Sequence, residues 1–345
     1  MKYTTLPNTN IEVSKICLGT MTFGEQNSEA EGHEQMDYAL EKGVNFFDTA
    51  EMYSVPAREE TYGSTEKIIG TWFKKTGNRD KVVLASKIAG PNPNFTYMRE
   101  KGDFSPASVK YALENSLKRL QTDYIDLYQL HWPERKTNCF GQRGFKVQDE
   151  SWEDNFREVL ETFDGLIKEG KIKHIGVSNE NPWGMMRFLE ESKYQNLPRI
   201  RTIQNPYSLL NRLFEVGSAE VSMHEKVGLL AYSPLAFGVL SGKFLTGEPL
   251  PNARINLFPQ YKRYNSEEST QATRLYQKIA NKHGLTLTEL ALGFVLQQPF
   301  LTSAIIGATT MEQLKENIAT IDIVLSNEIL AEIDAVQTII PDPAP

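Results

Sequence analysis

Cysteine is scarce in this chain: Cys17 and Cys139 are the only two among 345 residues. A disulfide framework needs more of them and a thiolate zinc site needs closer spacing, so a reducing cytosol is the expected compartment. The five histidines (His33, His131, His174, His224 and His283) lie far apart without HxxxH or HxH ligand spacing, and no metal is expected. The opening residues, MKYTTLPNTN, are polar, with no basic stretch leading into an apolar one, so no secretory signal is expected. Long hydrophobic runs are also missing. GLLAYSPLAFGVLSG comes nearest, but Pro234 and several small polar residues break it well short of a bilayer span, and no membrane partner is expected. Positive charge is in deficit: the net charge is −7, with no block of Lys and Arg to suggest a nucleic-acid partner.

What the chain does contain is core material in a repeating pattern. Hydrophobic residues make up 40% and charged residues 23%, enough to bury a substantial core. Short apolar runs alternate with helix-like segments. ICLGT precedes a helix expected over 28–42, opening on a Ser28–Glu31 capping box and ending at Gly43. NFFDT precedes one near 64–75, and VVLAS one near 106–120 with Ser105-Pro106 as its N-cap and first residue. YIDLYQL leads through a long loop to 155–169, and IKHIGVS to a helix opening at Asn181-Pro182. RTIQN, GLLAYS and TSAIIGA precede helices near 218–226, 267–283 and in TMEQLKENIATI. The strands read as nearly continuous apolar runs, as expected when helices cover a parallel sheet.

Eight strand-helix units predict an α/β fold, a (β/α)8 TIM barrel, with 1–345 as a single domain. The typical size is ~250 residues. The surplus falls in an N-terminal β-hairpin closing the barrel bottom, long loops at the C-terminal face, an extra helix at 287–297 and a last helix around 327–336. The rival is a doubly wound Rossmann sheet, which requires GxGxxG after its first strand; LGTMTFGEQ lacks it.

Barrel active sites are built where strands end. Asp48 and Tyr53 in NFFDTAEMY, Lys87 in VLASKIAG and His131 in LYQLHWP all lie at or just past such ends. Taken singly, a strand-end Asp is usually a cap, a Tyr packs and a Lys is solvated. Together, on neighbouring strands, they are hard to explain as packing, because unpaired charges after apolar runs are costly. Carbonyl reduction needs a proton at oxygen as hydride reaches carbon. A phenol titrates near ~10, and a nearby ammonium favours its ionised form. Lys87 suits that role, Asp48 would hold the Lys charged, and His131 would donate a second hydrogen bond to the same oxygen.

The segments GTMTFG, FFDTAEMY, SLKRLQTDYIDLYQLHWP, IKHIGVSN, QNPYSLLNR, AYSPLAFGVLSGKF and IIGATTMEQLKENI resemble, in order and along nearly the whole chain, the aldo-keto reductase superfamily. They most resemble its bacterial Tas-like branch, near the potassium-channel β-subunit-like members. The resemblance implies an NADP(H)-dependent reductase of aldehydes and ketones, with Tyr53 as general acid, Lys87 and Asp48 as its tuners and His131 orienting the carbonyl. It implies cofactor contacts from Thr20 and Met21, from Ser178, Asn179 and Gln204 at the carboxamide, and from Tyr232 stacked on the nicotinamide. Backbone N–H groups of the stretch from Ser233 to Lys243, with Pro234, Leu235, Ala236 and Gly238, would wrap the pyrophosphate. That stretch is not a P-loop, because Gly238 and Gly242 are one residue too close and Phe244 replaces Ser/Thr.

GATT opens the last barrel helix, where N–H groups point outward, and Thr310 with Gln313 also reads as a capping box. The resemblance adds Gly307, Thr309, Gln313, Glu316 and Asn317 at the adenosine end. Many superfamily members carry Lys at the position of Gly307 and Arg at that of Gln313 for the 2′-phosphate. Both are absent here, and the resemblance moves that role to Arg254, with Lys243 close by.

The loop from Trp132 to about Asp154 carries Trp132, Phe140, Phe145 and Trp152 among Arg135, Lys136, Arg143 and Lys146. A loop of this length often serves function, and Trp132 and Phe140 are expected to meet a small-molecule carbonyl substrate with an apolar or aromatic body. Two other classes compete. One is a cofactor-binding regulatory subunit with slow turnover; the other is a phosphate-binding barrel isomerase or aldolase with Lys87 as a Schiff-base residue.

Overall fold

The computed structural model describes residues 1–145 and 152–345. Its strands are β1 (Tyr3–Thr5), β2 (Glu12–Ser14), β3 (Ile16–Gly19), β4 (Phe46–Asp48), β5 (Val83–Ile88), β6 (Ile125–Leu130), β7 (Ile172–Ser178), β8 (Ile200–Pro206), β9 (Gly228–Tyr232) and β10 (Leu301–Ile306). Its α-helices are α1 (Glu29–Glu41), α2 (Ser64–Thr76), α3 (Pro106–Leu120), α4 (Phe156–Lys168), α5 (Pro182–Gln195), α6 (Ser218–Glu225), α7 (Arg254–Leu257), α8 (Glu267–Lys282), α9 (Leu287–Leu296), α10 (Met311–Ala319) and α11 (Asn327–Ile339).

Strands β3 to β10 close into a barrel in sequence order, and every neighbouring pair is parallel. The expected (β/α)8 barrel is therefore what forms. The helices α1 to α6, α8 and α10 follow successive strands; α7, α9 and α11 are additions. Strands β1 and β2 make the antiparallel hairpin, Tyr3 opposite Ser14. Val13 of β2 packs with Cys17, Phe46, Ala85, Leu127 and Leu230, so the hairpin seals the lower interior of the barrel.

Local chemistry sets the helix starts. Ser28 and Glu31 form the full capping box, Ser105 accepts from the Ser108 N–H, and Asn181 accepts from the Gly184 N–H. Helix α11 runs on to Ile339, past the expected end at 336, and Ile329, Ile333 and Val336 form its buried stripe. The outer core lies between barrel and helices. Helix α4 shows why it forms: Phe156, Val159, Leu160, Phe163 and Leu166 are buried at helical spacing, each side chain contributing ~1.5–3 kcal/mol on burial. Among the described residues no helix is long and apolar enough to cross a membrane.

Candidate active site

Side chains alternate along a strand with period two. Two steps on from the apolar barrel layer therefore lead from Phe46 to Asp48, from Ala85 to Lys87, from Leu127 to Gln129 and then His131, and from Leu230 to Tyr232. All reach the C-terminal mouth of the barrel. There the fully buried Lys87 donates from Nζ to Asp48 Oδ2 at 2.6 Å and to the Thr49 carbonyl at 2.7 Å. Asp48 Oδ1 accepts from Gln204 Nε2 at 2.8 Å and from Gln129 Nε2 at 3.4 Å. Thr20 Oγ1 donates to the Asp48 carbonyl at 2.8 Å and steadies the strand end. Lys87 Nζ lies 5.1 Å from the centre of the Tyr53 ring, and that ring meets His131 edge-on at 5.6 Å. The four expected catalytic residues thus converge.

Burial and charge oppose each other here. Burial pushes the Lys87 ammonium down, but the facing Asp48 carboxylate and the Tyr53 phenol more than offset it, so Lys87 is raised and stays protonated. Burial raises the Tyr53 phenol. Lys87 and Arg254 pull it back, while Asp48 adds to the rise, and the net direction is upward. The lowering expected from Lys87 is real, but desolvation outweighs it. Burial, aided by the positive Lys87, holds the His131 imidazole well below its usual range, so it is neutral near pH ~7. His131 Nδ1 has no hydrogen-bond partner among the described residues.

These groups face a cleft of about 1040 Å³. Thr20, Met21, Ser178, Asn179, Gln204 and Tyr232 line it. Tyr232 Oη donates to Asn179 Oδ1 at 2.7 Å, Asn179 Nδ2 donates to the His131 carbonyl at 2.8 Å, and Ser178 Oγ donates to the Gln204 carbonyl at 2.7 Å. Ser233, Pro234, Leu235 and Gly238 also line it, but Ala236 does not: it is buried behind the loop. The N–H groups of Ala236 and Gly238 donate to the Ser233 and Leu235 carbonyls within two tight turns. The loop's charge comes from Lys243, whose Nζ would lie 3.0 Å from a Cβ built on Gly238.

After β10, the strand next to β9, Gly307, Thr309, Gln313, Glu316 and Asn317 also line the cleft. Thr310 caps α10, but Gln313 Oε1 accepts from Thr309 N and Oγ1 rather than closing a capping box on Thr310. A Cβ on Gly307 would meet nothing within 4 Å, so the missing Lys is not forced by packing. Arg254 rests against Met21 Sδ at 3.6 Å and the Phe237 ring at 5.1 Å, close enough to act on Tyr53. Burial lowers both Lys243 and Arg254, repulsion from Arg254 lowers Lys243 further, and no Asp or Glu forms an ion pair with either among the described residues. Two uncompensated cations in one cleft fit a phosphorylated cofactor.

Trp132 and Phe140 line the same cleft, their rings 5.9 Å apart. The Trp132 indole donates to the Pro91 carbonyl and lies where any Cβ on Gly90 would come within 2.5 Å of it, so glycine is required there. Of the other loop aromatics, Phe145 is exposed and Trp152 packs on Phe156, so neither lines the cleft. Lys146 lies outside the described residues.

Sequence reasoning missed three contributors. Gln129 touches both Asp48 and Gln204; a Gln two residues before His131 in an apolar strand was its signal. Buried Glu51 accepts from Arg99 at 2.5 Å and from the Ala89 N–H, tying the Tyr53 loop to the loop after β5. Arg135 grips Glu180 through two hydrogen bonds, of 2.9 and 2.5 Å, and anchors the start of the Trp132 loop. Nothing local in the sequence marks either ion pair.

Residues 15–338 match the family model described as "Aldo/keto reductase family". The chain is 51% identical to "Protein tas" of Escherichia coli (strain K12), with the whole of both chains covered. It is 36% identical to "Uncharacterized oxidoreductase YrpG" of Bacillus subtilis (strain 168), covering 96% of this chain and 94% of that one. To "Aldo-keto reductase YhdN" of the same organism it is 31% identical, over 91% and 87%.

Proposed function

This chain belongs to the aldo/keto reductase family, an oxidoreductase family, and we propose that it reduces aldehydes and ketones to alcohols with NADPH as reductant. The observation that carries the reading is the buried Lys87–Asp48 pair beneath Tyr53, facing a neutral His131 at the mouth of a large cleft. When bound, the nicotinamide supplies a hydride. Tyr53 Oη gives the proton to the carbonyl oxygen, and the protonated Lys87 offsets the charge left on that phenol. Asp48 keeps Lys87 protonated and in place. His131 donates a hydrogen bond to the same oxygen, which orients the carbonyl and stabilises developing negative charge. Asn179, Ser178 and Gln204 would hold the carboxamide, Tyr232 the ring face, and Lys243 with Arg254 the phosphates.

The protonated state of Lys87 disfavours a Schiff base, which needs the free amine, so the aldolase reading loses support. The test is multiple-turnover NADPH oxidation against a panel of aldehydes, with Tyr53→Phe beside the wild type. Turnover should fall by ~10²-fold or more while NADPH affinity holds within a few-fold. Near-normal turnover of Tyr53→Phe would remove the phenol from the role. Tight NADPH binding without turnover on any aldehyde would favour the binding-subunit reading instead.

A further inference from the structure

Between β4 and Tyr53 the chain stays tied to β5. The Thr49 N–H donates to the Ala85 carbonyl at 2.9 Å and the Glu51 N–H to the Lys87 carbonyl at 3.1 Å, so the pairing runs on past Asp48, where β4 ends. The Glu51 side chain takes the next place. Its Oε1 accepts from the Ala89 N–H at 2.7 Å and from Arg99 Nη1 at 2.5 Å, while Arg99 Nη2 donates to the Ala89 carbonyl. Glu51, Arg99 and the Ala89 backbone thus close a hydrogen-bonded ring. It stands two residues beyond Lys87 and two before Tyr53.

For stability alone this pair is a poor device. Glu51 is 0% exposed and Arg99 9%, yet Glu51 Oε2 and Arg99 Nε have no hydrogen-bond partner among the described residues. A buried ion pair is often no more stabilising than an apolar pair of similar volume, and one with unsatisfied atoms less so. What it supplies is a fixed direction. The Tyr53 ring rests 5.1 Å from Lys87 Nζ and 5.6 Å from the His131 ring. Proton transfer depends on that placement, and a shift of ~1 Å can cost ~10²-fold in rate. Met52, Tyr53 and Trp132 line the cleft, and Met98 packs with Met52 and Trp132 in one apolar cluster, so the ring lies directly behind the wall that carries Tyr53. We propose that Glu51 and Arg99 are positioning residues for proton transfer, holding the Tyr53 phenol in register with Lys87 without touching substrate or cofactor. The proposal rests on the carbonyl-reductase reading above.

The experiment measures single-turnover NADPH oxidation on 4-nitrobenzaldehyde, together with the fluorine NMR signal of a 3-fluoro label on the Tyr53 ring. Glu51→Met keeps the side-chain length and removes the acceptor. It should slow the step by ~10²-fold while KM and NADPH affinity hold within a few-fold. Glu51→Gln keeps an acceptor oxygen and should stay within ~10-fold of the wild-type rate. Because Glu51→Met strands the Arg99 charge, it is also combined with Arg99→Met; the pair should regain Tm and none of the lost rate. Asp126→Leu is the control. It breaks another buried ion pair, to Arg79 at 2.8 Å, near the start of β6 and away from the mouth, and should lower Tm without slowing the step. Glu51→Met should shift or broaden the fluorine signal, and Asp126→Leu should leave it unchanged. A wild-type rate in Glu51→Met, alone or with Arg99→Met, overturns the proposal while carbonyl reduction stands, and equal slowing by Asp126→Leu overturns it too. A wild type that reduces no aldehyde defeats the carbonyl reading instead. The fluorine signal then decides the positioning role, which stands if Glu51→Met moves it and falls if it does not.

Discussion

Replacing Lys87 by Met removes one half of an ion pair whose two side chains are 0% and 4% exposed and only 2.6 Å apart. The stranded Asp48 carboxylate would keep Gln204 and the longer Gln129 bond as its donors, neither of them charged. Breaking a buried pair in this way costs ~3–5 kcal/mol, most of it the penalty of the charge left behind. A chain of 345 residues unfolds with an entropy of roughly 0.7 kcal/mol per kelvin, so Tm should fall by ~4–7 °C. Activity should fall by ~10²-fold or more, since the phenol loses its charge partner. Adding Asp48→Asn removes the stranded charge and keeps a polar side chain of nearly the same size. The double variant should recover at least half of the lost Tm and none of the lost turnover. Calorimetric melting and NADPH oxidation on the three proteins read the two effects apart. A double variant no more stable than Lys87→Met would refute the argument that an unpaired buried charge causes the loss. Recovered activity would refute the role of Lys87 in proton transfer.

Arg254→Ala should weaken NADPH binding by ~10-fold or more and NADH binding much less, measured by fluorescence titration; equal losses would move the 2′-phosphate partner to Lys243. Trp132→Ala and Phe140→Ala should raise KM for aromatic aldehydes more than for small aliphatic ones with NADPH affinity held, because both rings line the cleft and Trp132 meets His131. Lost thermal stability without kinetic selectivity would show that they serve the fold. Burial holds the His131 imidazole low, so on acidification the unfolded chain takes up that proton first. The stability this group contributes is full above ~6.5 and is lost as pH falls below that value. His131→Asn should therefore lose less Tm than the wild type between about pH 7 and pH 5, and an equal loss would assign the acid sensitivity elsewhere.

Much of this molecule is legible in the chain because it depends on local rules. The caps at Ser28, Ser105 and Asn181 were readable from a few consecutive residues, and helices begin at all three. Eight apolar runs separated by helical patterns were enough for a barrel, since a parallel strand must return through a crossover. The position of Asp48, Lys87 and His131 at or just past the ends of apolar runs was also enough to put them at the barrel mouth. Beyond Asp48 with Lys87, pairings between distant residues were not legible. Asp48 and Gln204 are 156 residues apart, and Glu51 and Arg99 are 48 apart; no pattern within either segment names its partner. The folded packing also decided the balance at Tyr53, where burial outweighs the nearby ammonium. Residue order determines which side chains reach the barrel mouth, because strand geometry repeats every two residues. Only the closed barrel determines how much water each loses and which charge it meets, because both depend on neighbours that the chain brings together from far away.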